Sequence, residues 1–314
     1  MHSHGSTQQV LIRDRADDLL DAVQARMLEC VNPGDTGLSR KLASAQHAAA
    51  YHLCAGGQRV RAKLALHAGL ALGLTENTAV TIAATAELLH NASLIHDDIQ
   101  DHEDMRRGQK AVWKSYGINT AICTGDLLLS AAYAALSEIE NFQALPVMIA
   151  LLHTRTASAI DGQCADLTAH AKIEQGTPDA INRYEQIAAA KSGALLRLPI
   201  ELALLAADHS HYLPDAKQAV EAFAIGYQIV DDLNDIQSDT DKDSARESFN
   251  IITIYKAAGF ASQAIARATA LANHHLDLAI KSAARLPLGA GALLTKYSHG
   301  LGEHLADKTR GTTV

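Results

Sequence analysis

Apolar residues recur along most of this chain at spacings of three and four, which is the pattern of packed α-helices. The pattern predicts helices over about 10–31, 38–55, 61–70, 79–104, 117–139, 145–172, 177–207, 214–235, 261–284 and 287–307. The polar and charged segment 237–249 predicts a surface loop, and no segment alternates convincingly with period two. We therefore expect an all-α fold, a bundle of roughly ten or more helices forming a single domain over 1–314.

The composition agrees with packed helices, because apolar residues make up 48% of the 314 residues and aromatic residues only 4%. The formal net charge of −8 argues against nucleic acid as a partner, since nucleic-acid binding needs basic clusters. It does not argue against a small anionic substrate, because bound metal ions can supply positive charge.

The start of the chain lacks an apolar signal core, and no apolar run has the length of about 18–20 residues that a membrane span needs. The four cysteines form no CxxC pair, so their spacing suggests neither a zinc site nor a disulfide framework. They are expected to be small apolar residues in a reducing compartment: Cys30, Cys54, Cys123 and Cys164. We therefore expect a cytoplasmic protein without a transmembrane segment.

Two aspartate-rich motifs carry the candidate chemistry. Asp97 and Asp101 in the first motif, and Asp231 and Asp235 in the second, are four residues apart, which on a helix places them on one face, one turn apart. A hard dication offsets the repulsion within each pair, and Mg²⁺ prefers carboxylate and phosphate oxygens. Two such helices facing each other would make an acidic cavity for several Mg²⁺ ions and a diphosphate. The predicted metal ligands are Asp97, Asp98, Asp101, Asp231, Asp232 and Asp235.

A single acidic motif of this kind is more often a solvated face or a helix cap. Here both motifs follow apolar runs, over 88–95 and 223–230, and acidic groups leaving a buried helix are costly unless a cation binds them. The occurrence of two copies also argues against coincidence. We therefore favour metal-assisted departure of a diphosphate that leaves an allylic carbocation.

Further motifs follow in order between about residues 50 and 250. They are Gly56-Gly57-x-Arg59-x-Arg61, His90-x-x-Ser93-Leu94-x-His96-Asp97-Asp98, Arg106-Arg107-Gly108, Val112-Trp113, Tyr116-Gly117, Gly125-Asp126, Gly162-Gln163-x-x-Asp166-Leu167, Lys191-Ser192-Gly193 and Gly226-x-Gln228-x-x-Asp231-Asp232. In this order the chain resembles the trans-type (head-to-tail) polyprenyl diphosphate synthases, which make farnesyl, geranylgeranyl and longer prenyl diphosphates. The resemblance implies an isoprenoid synthase-like bundle around a central cavity, about three Mg²⁺ ions per active site, and a homodimer.

The resemblance also implies roles for single residues. Lys191, Ser192 and Gln228 would act at the reaction centre, with Lys191 and Arg106 on the allylic diphosphate. Arginine supplies bidentate phosphate contacts and lysine a point charge. Arg61, His90 and Arg107 would hold isopentenyl diphosphate. Two further residues are candidates for substrate binding at positions where the chain departs from the family pattern, Gln58 and Lys242.

Two departures from the family pattern leave the fate of the carbocation open. The family usually has lysine after the glycine pair, and this chain has Gln58 there. After the second motif the family usually has a Gly-Lys pair followed by a basic stretch, and this chain has the polar and charged segment 238–246 instead. Loss of one charged contact costs about 1.5–3 kcal/mol. We favour elongation with isopentenyl diphosphate; the alternative is a diverged member that cyclises an allylic diphosphate or prenylates another acceptor.

Product length is expected to depend on the helix that precedes the first motif. Ala92 and Ser93, five and four residues before Asp97, are small, and Leu89 lies one turn further back. With nothing aromatic to close the pocket there, the expected product is C20 or longer, unless a bulky residue on another helix sets the limit.

Proteins of other classes fit the sequence less well. A regulatory subunit of a heteromeric synthase commonly loses the aspartate motifs, and a purely structural bundle does not need six paired aspartates. A di-iron carboxylate bundle needs Glu-x-x-His ligand pairs, which are not suitably placed here.

Overall fold

The computed structural model describes residues 3–32, 44–169, 178–238 and 250–311. These residues are helical throughout, apart from turns and one short antiparallel hairpin of β1 (Met105–Arg106) and β2 (Gln109–Lys110). The all-α prediction is confirmed. Within the described ranges, no helix combines the length and the apolar character that crossing a membrane requires.

The chain divides into two compact units. Unit 1 comprises Met1–Leu152 with Pro199–Ser210, and unit 2 comprises His153–Leu198 with His211–Val314. The single domain expected from the sequence stays a prediction.

Unit 1 is built around one long helix that ends on the first aspartate motif. Its helices are α1 (Ser3–Asp18), α2 (Leu20–Val31), α3 (Ala45–Cys54), α4 (Val60–Ala71), α5 (Glu76–Gln100), α6 (Val112–Tyr116) and α7 (Ile118–Leu136), with the first turns of α8 (Leu145–Ala169). The helix predicted over 10–31 is two helices that meet at Leu19. Thr75 caps the start of α5, because its side chain accepts a hydrogen bond from the backbone N–H of Thr78 at 3.1 Å.

The long helix α5 packs against α2, α4 and α7. Alanines line the contacting faces of α5 and α7, and Ala83, Ala84, Ala132 and Ala135 are completely buried. Small side chains let the two helix backbones approach closely, and alanine also has the highest helix propensity. This packing fixes the position at which α5 presents its aspartates.

Unit 2 holds the second aspartate motif at the end of its own long helix. Its helices are the rest of α8, α9 (Pro178–Ala188), a π-helix (Ala189–Gly193), the start of α10 (Ala194–Ala206), α11 (Leu213–Ser238), α12 (Ile251–Tyr255), α13 (Ala264–Ala283) and α14 (Ala292–Gly311). The helix predicted over 177–207 is therefore interrupted by a π-turn. The end of α11 packs along α13, where a Cβ added to Gly226 would lie 3.0 Å from Leu276 Cδ2.

The cysteines differ from the expectation of small apolar residues. Cys54, Cys123 and Cys164 are exposed, and Cys30 is half-buried. Burial and the neighbouring Glu138 raise the pKa of the Cys30 thiol, which keeps it protonated and unreactive.

Candidate functional site

The first aspartate motif separates its carboxylates into one buried group and two partly exposed groups. The backbone N–H of Asp101 donates to the carbonyl oxygen of Asp97 at 2.8 Å, so these two residues are one helical turn apart. Asp98 points inward and is only 1% exposed. The outer two carboxylates are therefore the ones that α5 offers to solvent on one face.

Asp98 is held by the hairpin that follows α5. Its Oδ1 accepts a hydrogen bond from Arg106 Nε at 2.8 Å and a second, short one from Arg106 Nη2. Its Oδ2 is buried and has no hydrogen-bond partner among the described residues. Burial raises the pKa of this carboxyl, and the Arg106 guanidinium opposes that rise.

The hairpin turns the next arginine back into unit 1. Arg107 and Gly108 both have positive φ, 52° and 79°, as a tight hairpin turn with right-handed strand twist requires. Arg107 Nη1 donates to Asn91 Oδ1 at 3.1 Å. Its guanidinium also lies against Gly57, where an added Cβ would come within 2.9 Å of Arg107 Cζ. Gly57 thus leaves room for this arginine.

The predicted second-substrate residues of unit 1 form an arginine cluster. Burial lowers the pKa of His90 well below its usual value, and the positive charges of Arg61 and Arg107 lower it further. Gln58 is exposed beside Gly57. Arg59, which belongs to the motif but had no predicted role, bonds Glu87 and the Leu53 carbonyl oxygen, and is structural.

The second aspartate motif repeats the arrangement of the first at the end of α11. Asp231 and Asp235 are exposed, whereas Asp232 is 5% exposed. The Oδ2 of Asp232 accepts hydrogen bonds from Tyr184 Oη at 2.8 Å and from the backbone N–H of Ile251 at 2.9 Å, and Gln228 Nε2 donates to its Oδ1 at 3.1 Å.

Burial raises the pKa of Asp232 to about 6, against the opposing effect of its three hydrogen bonds. Burial also raises the pKa of Asp231, and the nearby Asp235 adds to that rise. The two carboxylates at this end of the helix therefore repel each other, and a bound cation would reduce that repulsion.

The predicted catalytic lysine sits in the π-turn of unit 2. Lys191 Nζ donates to Asp166 Oδ2 at 2.6 Å. A Cβ added to Gly162 would lie 2.4 Å from the Lys191 backbone nitrogen. Helix α8 therefore touches the π-turn directly, and π-turns of this kind are frequent at functional sites. Ser192 follows Lys191 in the same turn and is half-buried.

The three residues that are predicted to set the length of the product lie on α5. Leu89 and Ala92 are buried, and Ser93 Oγ donates to the His90 carbonyl oxygen at 2.9 Å. Lys242, predicted to bind substrate, lies outside the described residues.

Two residues without a predicted role, Asn91 and Tyr184, bond Arg107 and Asp232 respectively. Nothing in the local pattern around Tyr184 points to that contact. The spacing of apolar residues in the sequence does indicate that Asp98 and Asp232 are buried. Ile95 and Ile229, both buried, lie three residues before them on the same helix face.

Mg²⁺ fits the carboxylates that each motif exposes. In the described ranges, no three His, Cys, Asp or Glu side chains converge on one point. Mg²⁺ is commonly held by one or two carboxylates together with substrate phosphates and water. The outer pair of aspartates in each motif supplies oxygen ligands of this kind.

A groove of about 620 Å³ lies elsewhere in unit 2, between α8 and α9, and is lined by residues that include His153, Asp161 and Arg183. It contains none of the predicted site residues.

Comparison with known proteins shows the family to which the chain belongs. The family described as polyprenyl synthetase matches residues 43–284, which is well over half of the chain. The chain belongs to this family. The resemblance drawn from the sequence is therefore confirmed.

Individual relatives are similar over about two thirds of the chain. The all-trans-nonaprenyl-diphosphate synthase (geranyl-diphosphate specific) of Rhodobacter capsulatus is 31% identical over 65% of this chain and 61% of its own length. The farnesyl diphosphate synthase of Geobacillus stearothermophilus is 30% identical over 66% of this chain and 73% of its own length. The match thus spans about three fifths of the length of the first of these relatives.

Similarity in fold covers more of the chain than similarity in sequence does. A geranylgeranyl pyrophosphate synthetase from Geoglobus acetivorans superposes with a TM-score of 0.77 over 93% of this chain and 99% of its own, at 24% identity. The chain is therefore similar in fold to that structure along nearly its whole length.

Proposed function

We propose that this polyprenyl synthetase is a Mg²⁺-dependent prenyltransferase that condenses isopentenyl diphosphate with an allylic diphosphate. The observation that carries the proposal is the repeated geometry of the aspartate motifs. In each one a buried middle aspartate is fixed by its neighbours, and two outer aspartates one turn apart are partly or fully exposed to solvent. The relatives named as farnesyl and nonaprenyl diphosphate synthases support this chemistry.

The outer aspartates would hold the metal ions, about three in number as in the resemblance. Bound Mg²⁺ would neutralise the diphosphate and make it a better leaving group. Asp98 and Asp232 would position the motifs, because their hydrogen bonds fix the ends of α5 and α11. Asp97, Asp101, Asp231 and Asp235 are thus the proposed direct ligands.

The basic groups would hold the two substrates. Arg106 can turn towards an allylic diphosphate only in competition with Asp98, and Lys191 only in competition with Asp166. The cationic side chain of each residue is therefore bound to a carboxylate, and so oriented, before the substrate binds. Arg61, His90 and Arg107 would bind the diphosphate of isopentenyl diphosphate, with exposed Gln58 at the edge.

The proposal includes a homodimer. Large apolar side chains are exposed on α7 and on the first turns of α8 in unit 1, with Ile118 and Val147 each 50% exposed. Exposed apolar patches are typical of protein interfaces, which supports a second copy of the chain as the partner.

A product assay tests the function. The protein is incubated with Mg²⁺, isopentenyl diphosphate and allylic diphosphates of increasing length, and the products are identified by mass. Longer prenyl diphosphates, and their loss on addition of a chelator, are expected. A hydrocarbon or alcohol formed without uptake of isopentenyl diphosphate would instead favour the cyclising alternative.

Ala92→Phe is expected to shorten the product. Ala92 is buried on α5, five residues before Asp97, and a phenyl ring there would block the path of a growing tail along the helix. Chromatography of the products is expected to show a shift from C20 or longer towards shorter chains. Ala92→Val, which adds much less volume, is the control, and an unchanged product length in Ala92→Phe would show that another helix sets the limit.

A further inference from the structure

In unit 2, α9 and the π-turn that follows it touch α11 at two points. At the first, Tyr184 Oη donates to Asp232 Oδ2 at 2.8 Å. At the second, a Cβ added to Gly193 would lie 3.4 Å from the Cβ of Ala224, which is ordinary van der Waals contact. Lys191 therefore lies between two points at which its segment contacts the helix that carries the second aspartate motif.

The segment between these two contacts is helical throughout. Ala188, the last residue of α9, has φ −59° and ψ −44°, so the backbone stays helical where α9 meets the π-turn. The π-turn also packs closely against α8, where a Cβ added to Gly162 would lie 2.4 Å from the Lys191 backbone nitrogen. Because the segment is helical and confined on two sides, a shift of Tyr184 would also shift Lys191.

Three groups bond Asp232 in the described part of unit 2, and they lie on three different elements. Gln228 Nε2, on α11 itself, donates to Oδ1 at 3.1 Å, and the backbone N–H of Ile251, at the start of α12, donates to Oδ2 at 2.9 Å. Tyr184 differs from both, because it lies on the helix that leads into the π-turn of Lys191. Its hydroxyl is therefore the group that joins the second motif to the lysine.

Burial makes this hydrogen bond important. Tyr184 is 3% exposed and Asp232 is 5% exposed, so water does not readily replace the hydroxyl if it is removed. A hydrogen bond to a charged group contributes more than one between neutral groups. Loss of the hydroxyl would therefore loosen the contact between α9 and the end of α11.

We propose that Tyr184 is a positioning residue: by bonding Asp232, it keeps Lys191 and the second aspartate motif at a fixed separation, so that both act on the same diphosphate. This inference rests on the proposed function, in which Asp231 and Asp235 are direct metal ligands and Lys191 contacts the allylic diphosphate. Tyr184 itself touches neither substrate nor metal in this role.

Titration calorimetry with inorganic diphosphate in the presence of Mg²⁺ measures this positioning without a chemical step. Tyr184→Phe removes the hydroxyl and keeps the buried ring. We expect it to bind diphosphate about tenfold more weakly, the lower end of the usual loss when a group that orients a metal site from outside is removed. Tyr255→Phe is the matched control, because Tyr255 is also buried and no group in the described part of the chain hydrogen-bonds its hydroxyl. It should bind as the natural chain does.

Steady-state kinetics separate positioning from a general loss of structure. In Tyr184→Phe, kcat should fall by about tenfold. The KM for isopentenyl diphosphate should stay unchanged, because the residues proposed to bind that substrate, Arg61, His90 and Arg107, belong to unit 1. A KM that rises as kcat falls would show a general structural defect and overturn the inference.

The calorimetric comparison is repeated in a Lys191→Ala background. If Tyr184 acts through the position of Lys191, most of the loss caused by Tyr184→Phe should disappear there, because a double-mutant cycle detects residues that act through one another. An equal loss in both backgrounds would overturn the inference. Unchanged binding in Tyr184→Phe, or the same loss in Tyr255→Phe, would also overturn it.

If Tyr184→Phe does not fold, amide hydrogen exchange of the natural chain decides. Mg²⁺ and inorganic diphosphate should slow exchange in α9 as well as at the end of α11, and protection of α11 without α9 would contradict the inference. A natural chain that neither binds diphosphate with Mg²⁺ nor makes prenyl diphosphates would remove the proposed function and this inference with it. Full activity of Tyr184→Phe would remove this inference alone.

Discussion

Asp97→Ala is expected to lower turnover by about 10²–10³-fold, the usual effect of removing one preorganised electrostatic group at a reaction centre. The fold should be unaffected, because Asp97 is partly exposed on the last turn of α5 and repels Asp101. Removing one of two like charges at this spacing stabilises a helix by about 0.2–0.5 kcal/mol. Steady-state kinetics over a range of Mg²⁺ concentrations, with thermal unfolding in parallel, would measure both effects.

Asp98→Ala is the informative comparison. It removes the buried acceptor of Arg106, and a hydrogen bond to a charged group contributes about 1.5–3 kcal/mol. Stability and turnover should therefore fall together in Asp98→Ala, whereas in Asp97→Ala turnover alone should fall. Asp17→Ala, an exposed position on α1, should change neither. If Asp97→Ala kept full turnover, the outer aspartates would not be the metal ligands.

Gly162→Ala is expected to destabilise the protein and to displace Lys191, the proposed catalytic lysine. The added Cβ would lie 2.4 Å from the backbone nitrogen of Lys191 and 2.7 Å from the carbonyl carbon of Ala190, and backbone atoms cannot rotate away. Overpacking of this kind costs about 1–3 kcal/mol. Because the π-turn must shift, Lys191 would lose its position beside Asp166. Chemical denaturation and kcat should report the two effects.

The control for Gly162→Ala is Gly302→Ala on α14. A Cβ at Gly302 would meet nothing within 4 Å. The same substitution there should stabilise the chain by about 0.5–1 kcal/mol, through the higher helix propensity of alanine, and leave kcat unchanged. Similar stability changes at the two positions would show that α8 and the π-turn do not touch as described.

Local periodicity predicted most helices and their order, but it placed some boundaries wrongly. Segment 10–31 is periodic throughout, yet the chain breaks at Leu19, and 177–207 is periodic across a π-turn. Such interruptions change only one or two backbone hydrogen bonds and leave the apolar spacing almost intact. The hairpin 105–110 is too short to give a period-two signal.

The sequence by itself determined that two helices end on aspartate pairs spaced by one turn, because helical geometry converts a separation of four residues into a shared face. It also determined the family, through many ordered motifs. Only the tertiary structure decided which partners hold those aspartates. Asp232 bonds Tyr184, which is 48 residues away, Lys191 bonds Asp166, and Asn91 bonds Arg107. These contacts depend on how distant helices pack, since local spacing fixes the direction of a side chain on its own helix and not the group that it meets.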